Sequence, residues 1–155
     1  MEEANCRNIT FKKMKIALGG DHAGYYYKQQ IITYLESKGH EVKDFGPDSA
    51  DSVDYPDYVH PLCTSVENGE NDFGILICGT GNGVAITANK HQGIRAALCW
   101  DRDLAALARQ HNNANVLCMA ARFIGYELAE SMVEKFIHEP FEGGRHQRRV
   151  EKMSC

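Results

Sequence analysis

The residues best suited to chemistry lie in the stretch from Phe73 to Gly83, which reads FGILICGTGNG. It places the thiol of Cys78 directly after a short β-branched apolar run and directly before glycines 79, 81 and 83. The apolar run predicts a buried parallel strand, and residues Val84 to Lys90 have helical composition. Backbone N–H groups and the dipole at a helix N-terminus favour negative charge, so a thiolate or an oxyanion would be stabilised here.

Two histidines could act with this thiol. His22 follows Asp21 after the run KIALGG, which predicts a first strand from Lys15. His22 could face a site at the end of that strand, or it could pair with Asp21 to stabilise the loop. His111 ends the stripe Leu104, Leu107 and Ala108, and this periodicity favours a histidine packed in the core.

The segment from Gly143 to Lys152 is basic and could bind phosphate. Arg145 and Arg149 are four residues apart, so in a helix they would share one face and could hold a phosphate together. No spacing of His, Cys and Asp residues indicates a set of metal ligands. We therefore expect neither a metal nor a cofactor.

The elements that must position these groups alternate between strand and helix. Further strands are predicted at residues 42–45, 94–99 and 116–119, and amphipathic helices at the stripes Tyr27, Ile31, Tyr34, Leu35; Val59, Leu62, Cys63, Val66; and Ala129, Val133, Phe136, Ile137. This alternation predicts a parallel sheet with helices on both faces. The carboxyl ends of such strands open into the crevice where α/β proteins bind ligands.

The 155 residues suit a single α/β domain over residues 14–155, preceded by a polar tail over residues 1–13. The net charge of −4 argues against nucleic-acid binding, and no apolar run approaches the ~20 residues needed to span a bilayer. With no signal peptide and no C-x-x-C pair, we expect a cytoplasmic protein whose six cysteines are reduced. Cys63, Cys99 and Cys118 lie in apolar patterns and are expected in the core.

The glycine loop also suggests a dinucleotide-binding site, because Asp101 follows it by about 20 residues. The motif G-x-G-x-x-G fails, however, since Val84 or Ile86 stands where the third small residue is required. A Walker loop lacks its Gly-Lys-Ser/Thr, and a C-x5-R phosphatase loop would need arginine at Val84.

Seven segments, taken together, resemble type B ribose-5-phosphate isomerases over about residues 14–153. They are Gly20–Asp21–His22–Ala23–Gly24, Asp54–Tyr55–Pro56, Cys78–Gly79–Thr80–Gly81 with Gly83 and Ala88–Asn89–Lys90, Gly93–Ile94–Arg95–Ala96, His111–Asn112, Ala114–Asn115–Val116 and Gly144–Arg145–His146. The resemblance implies a Rossmann-like three-layer α/β/α sandwich with a five-stranded parallel sheet. It also implies a homodimer with active sites at the subunit interface, with pairing into tetramers left open.

The resemblance further implies cofactor-free and metal-free interconversion of ribose 5-phosphate and ribulose 5-phosphate in the pentose phosphate pathway, through an enediolate. Cys78 would be the base, and Thr80 with His111 of the partner chain would open the furanose ring. Asp21, Tyr55 and Asn112 would contact the sugar, and the phosphate would bind His22, Arg122, Arg145 and Arg149. The backbone amides of Gly79, Gly81, Asn82 and Gly83 would face the enediolate.

Two positions depart from the family pattern: Asn113 stands where aspartate is usual, and Asn82 where an aliphatic residue is usual. Neither removes a named catalytic group. Related enzymes act on galactose 6-phosphate or allose 6-phosphate, so those sugars are alternative substrates. Two alternatives come from other functional classes. One is a nucleotide-binding domain, and the other is a regulatory module that binds sugar phosphates without turnover.

Overall fold

A computed structural model describes residues 12–155, which form one parallel sheet covered by helices on both faces. The strands are β1 (Lys15–Gly20), β2 (Glu41–Asp44), β3 (Phe73–Cys78), β4 (Ala96–Leu98) and β5 (Val116–Ala120). Their order is β2-β1-β3-β5-β4, and every neighbouring pair is parallel. The predicted α/β sandwich with five parallel strands is confirmed.

Residues 12–155 contain six α-helices, five of which pack on the sheet, and a short 3-10 turn, His22–Gly24, precedes the first of them. The helices are α1 (Tyr25–Ser37), α2 (Pro56–Glu67), α3 (Asn82–Ala88), α4 (Arg102–Asn112), α5 (Tyr126–His138) and α6 (Arg145–Glu151). Buried side chains of α1, α4 and α5 pack on one face of the sheet, and those of α2 and α3 on the other. Helix α6 packs against α4.

The central strand β3 divides its side chains between these two cores. Ile75 and Ile77 join the core under α1, α4 and α5, while Leu76 and Cys78 join the core under α2 and α3. This is the alternation of a pleated strand, and burial on both faces explains why its sequence is continuously apolar. Cys78 therefore faces the side of the sheet that carries the glycine loop and α3.

Helix α4 differs from its predicted orientation. Leu107 is 41% exposed, whereas Ala105, Ala108 and Arg109 are buried. The guanidinium of Arg109 lies 4.8 Å from the ring centre of Phe73, and its Nε and Nη1 donate to the carbonyl oxygens of Glu139 and Ala114. The sequence pattern counts arginine as polar and therefore assigns Arg109 to the exposed face of α4. For this reason the pattern predicts the wrong buried face for this helix. The side chain of His111 is 37% exposed, so the core position that periodicity favours for it is wrong.

Other predicted elements differ only at their ends. Strand β2 begins and ends one residue earlier than predicted, and β4 is shorter because only residues 96–98 pair with β5. The predicted tail falls mainly on residues 1–11, outside the described range, and stays a prediction there. In the range 12–155, no helix combines the length and the apolar character needed to span a bilayer.

A buried ion pair joins α1 to β2. The side chain of Lys28 is 1% exposed, and its Nζ lies 2.7 Å from both carboxylate oxygens of Asp44. Asp44 Oδ1 also accepts a hydrogen bond from the Gly46 amide at 2.8 Å. One carboxylate thus holds a helix and the chain after β2 in place.

Replacing Lys28 with Met removes the ammonium group but keeps most of the buried volume. Asp44 is 30% exposed, so water partly compensates for its lost cation, and we expect Lys28→Met to lower the free energy of unfolding by about 1–3 kcal/mol. Chemical denaturation measures this change. In the double variant Lys28→Met/Asp44→Asn, the loss should be smaller than the sum of the two single losses; strict additivity would show that the charges do not interact.

Candidate active site

The thiol of Cys78 lies at the carboxyl end of β3 and is held by the loop that follows it. The residue is 4% exposed, and the Gly81 amide donates a hydrogen bond to its Sγ at 3.0 Å. Gly81 has φ of +75°, and a Cβ there would lie 2.3 Å from the Leu98 side chain. Only glycine fits this backbone, which aims an N–H at the sulfur and would stabilise a thiolate by a charge-assisted bond.

The other buried thiols differ from Cys78 in their surroundings. Burial raises the pKa of Cys63 and that of Cys99 to about 12, and raises the pKa of Cys118 well above its ordinary value. These three side chains lie in the cores, as expected, and stay protonated at neutral pH. They are therefore unsuited to act as bases.

A cavity of about 630 Å³ opens beside the glycine loop. Four predicted site residues line it: Asp21, His22, Tyr55 and Arg122. The Arg122 guanidinium lies against Gly79, where an added Cβ would be 3.1 Å from Nη1, and the Tyr55 ring lies against Gly83, where a Cβ would be 2.5 Å away. The cavity and the loop after Cys78 therefore form one site, into which ligand atoms could approach the backbone closely.

Asp21 and His22 both organise the loop and line the cavity. Asp21 Oδ1 accepts from the amides of Ala23 and Gly24 at 2.9 and 3.1 Å, which caps the 3-10 turn. His22 Nδ1 accepts from the Val53 amide at 3.3 Å, so in the neutral ring the proton is on Nε2. The two interpretations of this pair, structural and functional, are thus compatible.

Thr80 and Asn82 complete the loop. Thr80 is exposed, and its Oγ1 accepts from the Asn82 amide at 3.2 Å. Asn82 is the first residue of α3, so its departure from the family pattern leaves the strand, loop and helix arrangement intact.

The remaining predicted residues do not line this cavity. His111 and Asn112 end α4, and Asn112 lines a separate cavity of about 440 Å³. Arg145 and Arg149 are exposed on α6, and their segment is helical, as the proposed phosphate clamp requires. The predicted site residues therefore fall into two groups.

The sheet itself separates these groups. Asn115 accepts a hydrogen bond from the Gly74 amide at the amino end of β3, which places the chain just after His111 at the amino edge of the sheet. Cys78 pairs with Ala120 at the other end of β5, four residues beyond Val116. At ~3.3 Å per residue, the two edges are about 13 Å apart. Within one chain, the end of α4 and the thiol therefore lie at opposite edges of the sheet.

Two arginines hold Asn113, the residue that follows the last residue of α4 and lies two positions after His111. Asn113 adopts the left-handed conformation with φ of +47°, which asparagine tolerates better than most residues. Its carbonyl oxygen accepts from Arg95 Nε at 2.8 Å, and its side-chain oxygen accepts from Arg109 Nη1 at 3.0 Å. The Asn113 departure is thus accommodated by the local structure.

Two residues to which the sequence analysis assigned no role, Glu142 and His146, lie next to His111 in the structure. The His111 and His146 rings stack at 4.1 Å with an angle of 12°, and each Nε2 faces Glu142 Oε2, at 3.8 and 3.6 Å. In the sequence, the four-residue spacing from Glu142 to His146 could have indicated that these two side chains lie close together. It does not indicate that His111 lies beside them. The prediction that the reaction needs no metal stays a prediction.

Comparison with known proteins gives a consistent result. A sequence model described as Ribose/Galactose Isomerase matches residues 16–153. Ribose-5-phosphate isomerase B of Escherichia coli K12 is 47% identical over 141 residues, which cover 91% of this chain and 95% of that protein.

Solved structures agree in fold. Ribose 5-phosphate isomerase from Thermotoga maritima superposes with a TM-score of 0.90 at 51% identity, covering 92% of this chain and 99% of that one. Ribose-5-phosphate isomerase B from Mycoplasma genitalium, with bound ribulose-5-phosphate, gives 0.86 at 45% identity, covering 90% and 93%. The family match spans nearly all of the described fold and includes Cys78, its glycine loop and the adjoining cavity. This chain belongs to the ribose/galactose isomerase family.

Proposed function

We propose that this protein is an aldose–ketose isomerase that interconverts ribose 5-phosphate and ribulose 5-phosphate through an enediolate. The observation that carries the proposal is that the Cys78 thiol accepts a hydrogen bond from the Gly81 amide, in a loop beside a cavity lined by polar groups. Membership of the family and the ribulose-5-phosphate bound to the Mycoplasma genitalium relative support the substrate. The test is an isomerase assay on ribose 5-phosphate, with allose 6-phosphate and galactose 6-phosphate as competing substrates.

In the proposed mechanism, Cys78 moves one proton between adjacent carbons. Its thiolate takes the C2 proton of the open-chain aldose, the C2 electrons form the enediolate double bond, and the carbonyl electrons move onto O1. The O2 hydroxyl proton passes to O1, and the proton held by Cys78 returns to C1 as the O2 electrons form the ketone carbonyl. These transfers leave O1 as a hydroxyl and Cys78 again as the thiolate. Amides of residues 79–83 would stabilise the developing charge on oxygen, and one such donor is typically worth ~2.7–4 kcal/mol.

The groups that line the cavity would hold the rest of the sugar phosphate. Asp21 and Tyr55 accept and donate hydrogen bonds to hydroxyls, and His22 Nε2–H and the Arg122 guanidinium donate to the phosphate. Binding energy from this remote phosphate would position C1 and C2 at the thiol. No step requires a cofactor or a metal.

We further propose a homodimer whose active sites each take residues from two chains. The support is the distance of about 13 Å between the two edges of the sheet, which keeps His111, Asn112, Arg145 and Arg149 from the Cys78 of their own chain. A two-fold axis would bring the amino edge of one chain to the carboxyl edge of another and form two equal sites. His111 and Thr80 would then open the furanose ring before isomerisation.

The proposal includes a cytoplasmic setting, where the enzyme would act on pentose phosphates. The five cysteines within residues 12–155 are free thiols, which suits a reducing compartment.

Changing Cys78 to Ser should leave a folded protein that still binds the sugar phosphate. Because a hydroxyl is a much weaker base at neutral pH, kcat should fall by about 10²–10⁴-fold. Steady-state kinetics measure the loss, and Cys63→Ala is the matched control, which should lower thermal stability without changing the chemical step. Near-normal turnover by Cys78→Ser would exclude the thiol as the base.

Mixing two inactive variants tests whether the site is shared. After unfolding and refolding together, Cys78→Ser and His111→Asn chains should form heterodimers in which one site has both defects and the other has none. Random pairing then restores about a quarter of the wild-type rate, since half of the dimers carry one intact site of two. If both residues served the same chain's site, the mixture would be no more active than its components.

Removing either arginine of the proposed clamp should chiefly weaken substrate binding. A hydrogen bond to a charged group contributes about 1.5–3 kcal/mol, so we expect Arg145→Ala and Arg149→Ala to raise KM by about ten- to a hundredfold. Arg148→Ala, an exposed arginine of the same helix, is the control for charge alone. Equal effects at all three positions would point to a general electrostatic attraction rather than a clamp.

A further inference from the structure

The cluster of His111, Glu142 and His146 has the composition of a transition-metal site. Each of these three side chains offers one ligand atom, and the three atoms all lie within 4.8 Å of one another. Within residues 12–155, this is the group of three His, Cys, Asp or Glu side chains that meets this distance. The two Nε2 atoms lie 3.8 and 3.6 Å from the same carboxylate oxygen. Ligands at ~2.1 Å in tetrahedral geometry are about 3.4 Å apart, so these separations need to shrink by only a few tenths of an ångström.

We propose that His111, Glu142 and His146 bind Zn²⁺, or a divalent cation of similar ligand preference, with water in the fourth position, and that the bound ion inhibits the enzyme. Two imidazoles and one carboxylate are a ligand set that zinc uses in proteins. The inhibitory part rests on the proposed function, because the ion would occupy Nε2 of His111, the residue proposed to open the sugar ring. The binding part does not depend on it.

The mobility of the cluster fits this assignment. The stacked rings must tilt apart before their lone pairs converge, and His111 can move because its side chain is 37% exposed. His146 is buried and supplies the fixed ligand.

Nearby charges select the kind of cation. Arg145 and Arg149 lie on the same helix as His146 and repel any cation held by charge alone. Mg²⁺ and Ca²⁺ prefer oxygen ligands and bind through such charge, whereas imidazole nitrogen favours Zn²⁺, Cu²⁺ or Ni²⁺. The site therefore discriminates against the abundant hard cations.

A second cluster provides the matched control. His60 Nδ1 lies 2.8 Å from His91 Nε2, and His91 Nδ1 lies 2.6 Å from Glu67 Oε1. These three groups form a chain of contacts, in which both nitrogens of His91 are occupied. His60→Gln thus removes a surface histidine from another His-His-Glu set without touching the proposed site.

The binding test uses Co²⁺ as a spectroscopic probe and Zn²⁺ as its competitor. A four-coordinate site makes the visible absorption of Co²⁺ much stronger than in water, and bound thiolate adds a charge-transfer band in the near ultraviolet. We expect one strong Co²⁺ site per chain, without the thiolate band. Glu142→Gln and His146→Gln should weaken it by at least about tenfold, and His60→Gln should not. Glu142 is exposed, so Glu142→Gln is the variant expected to keep the native fold.

Three outcomes would overturn the site: unchanged affinity in Glu142→Gln, loss of binding in His60→Gln, or a thiolate band that assigns the ion to a cysteine. The kinetic test adds Zn²⁺ to the active enzyme. Inhibition should be reversed by EDTA and should require at least about tenfold more Zn²⁺ in Glu142→Gln. Binding without inhibition would overturn the inhibitory part alone, and an inactive protein that binds Co²⁺ here would overturn the proposed function but not the site.

Discussion

The close approach of β1 to the end of β3 is the contact on which the candidate site depends. A Cβ at Gly20 would lie 1.9 Å from the Ile77 carbonyl oxygen, and one at Gly24 would lie 2.0 Å from it. The Asp21 amide donates to the same oxygen at 3.3 Å. Because two glycines let the backbones meet here, Asp21 and His22 stand beside Cys78 rather than a side chain's width away.

The backbone of the glycine loop also distinguishes one thiol, that of Cys78, from the other buried thiols. Within residues 12–155, four buried cysteines lie in the cores, and burial raises the pKa of Cys63, Cys99 and Cys118, which keeps these three protonated. Cys78 alone among these four accepts a hydrogen bond from the Gly81 amide. The left-handed glycine, not the cysteine itself, makes the difference, since a residue with a Cβ would be strained at the φ of +75° that aims this amide at the sulfur.

In the proposed function, the separation of the functional groups between two edges of the sheet would link catalysis to assembly. A parallel strand has one carboxyl end, so loops after β1 and β3 converge there, while the end of α4 must return to the amino edge before β5 begins. A site that needs both groups has to be completed by a second chain. Assembly would then regulate activity directly, and an ion held by His111, Glu142 and His146 would act on the half that the partner supplies.

The sequence by itself determined the α/β class and the buried faces of α2 and α5, because both follow from the local periodicity of apolar residues. It also determined the strand, loop and helix around Cys78, because the glycines after the apolar run mark a loop. The tertiary structure alone decided the rest. Arg109 is buried because aromatic rings and carbonyl oxygens from distant segments contact it, so α4 leaves Leu107 exposed and His111 partly exposed. Lys28 is buried because Asp44 of β2 neutralises it. Which groups share an edge of the sheet depends on strand order, and strand order is a long-range property that no local pattern encodes.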